Sequence, residues 1–278
     1  MELSSPRLPF ELERLVFGHC AFSRPTSIPT LMLVAWRVKQ WVEPFLCRTL
    51  TITSRGWRPT PEGGSVMLSA DTLLSLLGHG LDGPFWRDTT RHLCLADGYA
   101  DALPIILVAF PGIEDLRLAE EGELALFSAL AVKRLHTCAI SLFQAFPLDH
   151  PFYSQLTHLA LSDTIHASDD ETTIAFALPR IPHLSHLSFG YPNMISMLLL
   201  LLQTCRALRA LVSVTHWRAP AYGGFAGELA KDVRFVSLPC TDEIVDWQSG
   251  AQWGLDYWAR ADAFIEKRRS GEIDVYSG

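Results

Sequence analysis

Leu156-Thr157-His158-Leu159-Ala160-Leu161 carries one spacing: an apolar residue, two others, a leucine, one other, a leucine. Working outward, six further stretches repeat it with apolar or small residues. They are Thr90-x-x-Leu93-x-Leu95, Ile113-x-x-Leu116-x-Leu118, Val132-x-x-Leu135-x-Thr137, Leu184-x-x-Leu187-x-Phe189, Leu208-x-x-Leu211-x-Ser213 and Val233-x-x-Val236-x-Leu238. Their first positions lie 23, 19, 24, 28, 24 and 25 residues apart. The last two apolar positions of each copy are two apart, the period of a strand with one face buried. A further leading copy, Cys47-x-x-Leu50-x-Ile52, stands 43 residues before Thr90.

A repeat of about 24 residues resembles the leucine-rich repeat, in which each unit supplies a strand and a return segment. The expected fold is α/β: an irregular leucine-rich-repeat-like solenoid of parallel strands alternating with helices. Return helices are expected at 124–130, at 168–177 behind the capping box Ser168-Asp169-Asp170-Glu171, and at 194–205. Another is expected at 71–77, with Asp71 as N-cap and Gly78 as C-cap. Pro179, Pro182 and Pro192 fall between elements as breakers. The array departs from the family in lacking asparagine after the strands. Those places read Ala96-Asp97-Gly98, Ala119-Glu120-Glu121 and Ser162-Asp163-Thr164. Copies three and six end in Thr137 and Ser213. A short, irregular arc is the expectation.

The first 45 residues read as a separate helical unit, followed by the repeat body at 46–240 and a C-terminal capping helix and tail at 241–278. Pro9 suits a helix start, and Leu12, Leu15 and Val16 follow at helical spacing. A breaker stretch runs from Gly18 to Pro29. A second helix is expected at 31–41, with Leu31, Val34, Val38 and Trp41 on one face and Pro44 ending or bending it.

Leu8-Pro9-x-Glu11-Leu12-x-x-Leu15-Val16-Phe17 and Leu33-Val34-Ala35-x-Arg37-Val38-x-x-Trp41 resemble an F-box. With Glu43-Pro44-Phe45-Leu46-Cys47-Arg48-Thr49-Leu50 they are most similar to the F-box-like segment of fungal, mainly basidiomycete, proteins. The resemblance implies docking onto the Skp-type adaptor of an SCF (cullin–RING) ubiquitin ligase. Leu8 and Pro9 match the family's adaptor-contacting opening; Leu12, Leu15, Leu31 and Val34 match its apolar helix positions. Residues 18–29 depart from it, being proline-rich where an F-box has an acidic, leucine-bearing turn. The alternative is a repeat-based binding or structural module with no ligase link, whose first helices only cap the end repeat.

In 241–269 one helix is expected, with Thr241 as N-cap and Ala251, Leu255, Trp258, Ala261 or Asp262, and Ile265 in a stripe. Gly250 and Gly254 weaken its first half, and Lys267-Arg268-Arg269 suits its C-terminal dipole. Its expected role is a cap over the last repeat; a partner face rich in tryptophan is the alternative.

Composition narrows the function classes. The chain has 278 residues, 49% hydrophobic and 19% charged, with net charge −7. Residues 1–50 carry +2 and the remainder −9, so an acidic body argues against nucleic acid. Six scattered cysteines form neither a dense disulfide framework nor a zinc spacing, which favours reduced thiols in the cytoplasm or nucleus. No signal peptide or membrane span is expected; the leucine run at 197–202 is too short.

The strand template places two rows on the outward face. One is His92, Asp115, Arg134, His158, His186, Ala210 and Phe235; the other is Cys94, Arg117, His136, Ala160, Ser188, Val212 and Ser237. His92, Asp115, Arg117, Arg134, His136, His158 and His186 are therefore the expected partner-facing residues on an exposed face. His183-x-x-His186 is a poor ligand pair, since strand residues three apart point oppositely. The chain contains no Gly-x-Ser-x-Gly and no Walker loop. Gly63-Gly64 and Gly223-Gly224 read as turns, and Glu120-Glu121-x-Glu123 and Asp169-Asp170-Glu171 as helix N-terminal charge. No catalysis, cofactor or metal is expected. The expected work is adaptor work, on a protein target the sequence does not name.

Overall fold

The computed structural model describes residues 8–54, 66–78, 87–97, 99–119, 124–162, 168–190, 195–215 and 226–273. Three helices open the chain: α1 (Phe10–Ser23), α2 (Ile28–Leu31) and α3 (Trp36–Leu46). The body follows with β1 (Thr49–Ile52), β2 (Val66–Leu68), α4 (Ala70–Gly78), β3 (His92–Leu95), α5 (Leu103–Ala109) and β4 (Asp115–Leu118). After a 3-10 turn at Leu124–Ala129 come β5 (Arg134–Thr137), α6 (Ala139–Ala145), β6 (His158–Leu161), α7 (Ser168–Ala177), β7 (His186–Phe189) and α8 (Ile195–Thr204). The remaining elements are β8 (Ala210–Thr215), α9 (Ala226–Ala230), β9 (Phe235–Pro239), α10 (Glu243–Trp253) and α11 (Tyr257–Arg269).

The nine strands form one parallel sheet, ordered β2-β1-β3-β4-β5-β6-β7-β8-β9. Each copy of the spacing contains one strand. In β3 to β7 the leucines stay in register: Leu93, Leu116, Leu135, Leu159 and Leu187 are successive neighbours. All five are wholly buried against the return elements. Two leucine-sized side chains buried per strand contribute roughly 3–6 kcal/mol gross, most of which chain entropy offsets.

Position one is inward as well in the copies from Thr90 to Leu208. Ile113, Val132 and Leu156 are wholly buried, and Thr90 can share that place because its hydroxyl donates to the Cys47 carbonyl at 2.8 Å. Hydroxyls just ahead of the strands tie successive repeats together. Thr157 Oγ1 donates to the Lys133 carbonyl at 3.0 Å and Ser185 Oγ to the Thr157 carbonyl at 3.1 Å. Asp97 accepts from Thr53 Oγ1 at 2.6 Å and from the Ser54 N–H at 2.7 Å, tying the turns after β1 and β3.

Several expectations are corrected. α1 runs through Gly18 to Ser23, so the breaker stretch is shorter than its prolines suggest. The second helix is two: the chain turns at 32–35, which leaves Val34 exposed while Leu31, Val38 and Trp41 still meet in one small core. α3 continues through Pro44 to Leu46. Ser69, not Asp71, caps α4, accepting from the Thr72 N–H at 3.1 Å. β2 was not expected; Val66-Met67-Leu68 pairs on the outer edge of β1.

The seventh copy is out of phase by one. Phe235 pairs beside Leu211 and enters the main core, while Val236 lies beside Val212 on the opposite face. A one-residue slip exchanges the faces of a strand, so Phe235 and Ser237 do not belong to the outward rows. The 124–130 helix is a 3-10 turn. The C-terminal helix is two, because Gly254 takes the left-handed conformation (φ 65°) that ends α10. Asp242, not Thr241, caps α10, and Asp256 caps α11. The expectations at Gly63-Gly64, Gly98, Glu120-Glu121-x-Glu123, Asp163-Thr164, Pro192, Met194, Gly223-Gly224 and the side chains of Ser168-Asp169-Asp170-Glu171 lie outside the described residues. No helix among the described residues is long and apolar enough to cross a membrane.

Candidate functional site

The sheet brings the expected outward rows together as the spacing implies. His92, Asp115, Arg134, His158 and His186 are successive register neighbours from β3 to β7. Cys94, Arg117 and His136 form the next row on β3, β4 and β5. Their exposure is the correction. Asp115, Arg117, His136 and His186 are buried; His92, Arg134 and His158 are half-buried. None of the seven presents the open partner-facing surface expected of it, because α10 and α11 lie across this face.

The cover is specific. Trp247 of α10 donates its indole N–H to Asp115 Oδ1 at 2.9 Å, and Gln248 Nε2 donates to Thr51 Oγ1 at 3.1 Å. Arg117 Nη2 donates to Glu243 Oε2 at 2.6 Å, and Arg134 pairs with both Asp115 and Asp256. From α11, Tyr257 OH shares a hydrogen bond with Ser188 Oγ at 2.9 Å, and Asp262 meets His186 Nε2 at 3.1 Å. Trp258 sets its ring edge-on to His158 and His186, at 5.5 and 5.8 Å. The C-terminal segment is therefore no cap over the last repeat alone. Nor is it a free tryptophan-rich face, since Trp247 and Trp258 are buried. Leu255, placed in the stripe, is exposed in the turn between the helices.

Local chemistry explains why two helices form and meet. Asp242 Oδ1 accepts from the Ile244 and Val245 N–H groups, and Asp256 Oδ1 from Ala259 N–H. Asp246 joins the helices, accepting from the Tyr257 N–H at 2.9 Å and pairing with Arg260 at 2.7 Å. Gly250 is required by the close approach. A Cβ there would stand 2.6 Å from Asp256 Cβ and Cγ.

Electrostatics at this interface are those of a closed, desolvated face. Burial pushes the Asp115 carboxyl up, but the bond from His92 and the charge of Arg134 outweigh it and hold the group at about 2. Burial, then the charges of Arg117 and Arg134, press His136 down to about 3, with Asp115 opposing. Burial, His186 and Arg134 press His158 to about 2. Because Arg117 Nη1 donates to His136 Nδ1 at 3.2 Å, that imidazole carries its proton on Nε2, which has no partner among the described residues. Burial raises the Cys94 thiol to about 12.

A cavity of about 20 Å³ lies beside Arg117, His136, Ser188, Glu243 and Tyr257, room for a water-sized molecule. Among the described residues no three His, Cys, Asp or Glu side chains stand together as metal ligands. On the helix side a groove of about 560 Å³ runs between α7 and α8, past Phe176, Pro179 and Leu200. Arg180 stacks on Phe176 there at 3.6 Å.

The N-terminal unit presents the opposite surface. Ala21, Ile28, Val38 and Val42 form a small core, with Phe17, Leu31 and Trp41 packed on it. Glu13 of α1 receives two hydrogen bonds from Arg37 of α3, at 2.9 and 3.2 Å. Of the six expected docking residues, Leu8, Pro9, Leu12, Leu15 and Val34 are exposed, whereas Leu31 is half-buried in the unit's own core. The spacing argument missed Leu33 (87% exposed), Trp36 (70%), Phe10 and Val16 as surface residues. The break between α2 and α3 puts the first two outside. No protein-family model matches the chain, and no curated protein matches it significantly.

Proposed function

We propose that the chain is a protein-interaction adaptor, the substrate-recognition subunit of an SCF-type (cullin–RING) ubiquitin ligase. In this reading the N-terminal helices are an F-box-like segment that docks onto the Skp-type adaptor. The sheet and its return helices are a leucine-rich-repeat-like solenoid, and the chain itself does no chemistry. Its contribution is effective concentration, holding a target protein near the transfer machinery.

One observation carries the reading. Of the sixteen large apolar residues exposed among the described residues, nine fall between Leu8 and Trp36. A unit with a four-residue buried core does not display that much apolar surface for its own stability. Each such side chain contributes about 1.5–3 kcal/mol when a partner buries it. Their positions include four of the six that the F-box resemblance assigns to adaptor contact, Leu8, Leu12, Leu15 and Val34.

The test is co-purification of the intact chain with a Skp-type adaptor. Capture is expected, and Leu15→Asp with Val34→Asp should abolish it while the melting temperature stays within about 2 °C of wild type. Failure of the intact chain to capture the adaptor sinks the ligase reading and leaves the helices as an end cap on a repeat-based module.

A further inference from the structure

The main apolar cluster runs from Leu50 to Phe235 and includes no residue of α10 or α11. The C-terminal helices close two smaller clusters instead. Trp247 and Ala251 cover Cys94. Tyr257, Trp258, Ala261 and Ile265 cover Ala160, Ala210, Val212, Val214 and Val236. The sheet and its return helices thus complete their own core on one face, and the C-terminal pair docks on the other.

Three histidines lie under α11. The His158 and His186 rings stack at 4.1 Å with an interplanar angle of 4°. The His136 ring stands 6.1 Å from Tyr257. The charged groups around them are mostly committed elsewhere. Arg117 of β4 is paired with Glu243 of α10; Arg134 of β5 with Asp115 of β4 and with Asp256 at the α11 cap; Asp246 of α10 with Arg260 of α11. His158 lies between Arg134 and His186, with Asp115 and His136 further along the sheet. His136 is flanked by Arg117 and Arg134, with Asp115 as its opposing carboxylate. His186 faces Asp262 of α11, with Arg209 and Arg134 acting against its charge.

We propose that α10 and α11 form a separable strap whose hold on the sheet face is released when the histidines beneath it take up protons. A proton on His158 or His136 adds positive charge beside arginines in a desolvated interface. Of the three, His186 meets a carboxylate of the strap, Asp262, at 3.1 Å. The sign follows from the free imidazole, which binds its proton near 6.5, whereas burial keeps His136 and His158 neutral well below that in the closed state and lowers His186 against the opposing pull of Asp262. The strap is fully held at neutral pH and loosens as pH falls below about 6.5. This inference does not rest on the adaptor reading, since it concerns the opposite end of the chain and needs no partner.

Hydrogen exchange on the full chain, corrected for the intrinsic pH dependence of amide rates, reads it directly. Between pH about 6.5 and about 4.5 the amides of α11 should lose at least tenfold in protection, while those of β3 to β7 keep theirs. His158→Phe retains a stacking ring that cannot titrate, and His186→Gln retains a donor for Asp262. The double variant should hold α11 protected at pH about 5. Should it not fold, His158→Phe alone should move the midpoint of loss to lower pH. Loss of α11 protection in step with the sheet, no loss at all, or an acid profile unchanged in the variant that folds would each overturn the proposal.

Discussion

The two faces of one sheet are closed by different physics. On the helix side, Leu93, Leu116, Leu135, Leu159 and Leu187 meet an apolar lining built by segments a few residues away in the chain. On the other side, residues one position along meet helices more than a hundred residues later, through Trp247–Asp115, Arg117–Glu243 and Arg134–Asp256. The first face is non-directional and tolerates irregular spacing of 19 to 28 residues. The second depends on donors matched to acceptors, and each loss there strands a buried polar group. A parallel sheet covered on both faces usually reads as continuous apolar runs. This one alternates, because its second cover brings its own charges.

That comparison fails if the polar face is only decoration on a single cooperative core. Asp115→Ala is the strongest challenge, since Asp115 receives Trp247 and His92 and pairs with Arg134. Its removal leaves an indole N–H unpaired and Arg134 with one carboxylate, Asp256, in place of two, with an expected loss of about 3–5 kcal/mol. The loss should fall on the protection of α10 and α11 in hydrogen exchange, ahead of the sheet. Equal loss in both would make the two faces one unit.

Leu159→Ala, two strands along on β6 and on the opposite face, is the matching probe. Leu159 is wholly buried among the return elements, so an expected loss of about 2–5 kcal/mol should appear in urea unfolding of the whole chain. A variant that opens only the C-terminal helices would contradict the assignment of Leu159 to the core they do not share.

How much of this was legible varies with the range of the interaction. The strands were readable because period-two leucines recur at a regular interval, and β1 and β3 to β8 fall where the spacing puts them. β9 was misphased because Val233, Val236 and Leu238 satisfy the template, although Phe235 is the residue that enters the main core. β2 carries no repeat signature, being an edge strand outside the array. The outward rows were identified correctly by residue from β3 to β7, yet their environment was not. A row of histidine, arginine and aspartate reads as a solvated face unless its partners are known, and those partners lie 122 and 132 residues away for Arg134–Asp256 and Trp247–Asp115. The division of the C-terminal helix was available locally: Gly254 as a left-handed stop and Asp256 two residues later as the next cap.

The smallest expected effect is the most discriminating. Arg117 is buried and its partner Glu243 partly so, at 2.6 Å. Arg117→Leu alone takes the guanidinium away from Glu243 beside His136, and Glu243→Leu alone takes the carboxylate away from the buried guanidinium. Each single change should cost about 3 kcal/mol or somewhat less, given the partial exposure of Glu243. The double change removes both charges together, and with similar volume retained its cost should be under about 1.5 kcal/mol. A mismatch between the summed singles and the double, measured as opening of α10, identifies a directional polar interface. Simple additivity would mean that the pair contributes only packing, and the second face would then close by the same non-directional burial as the first.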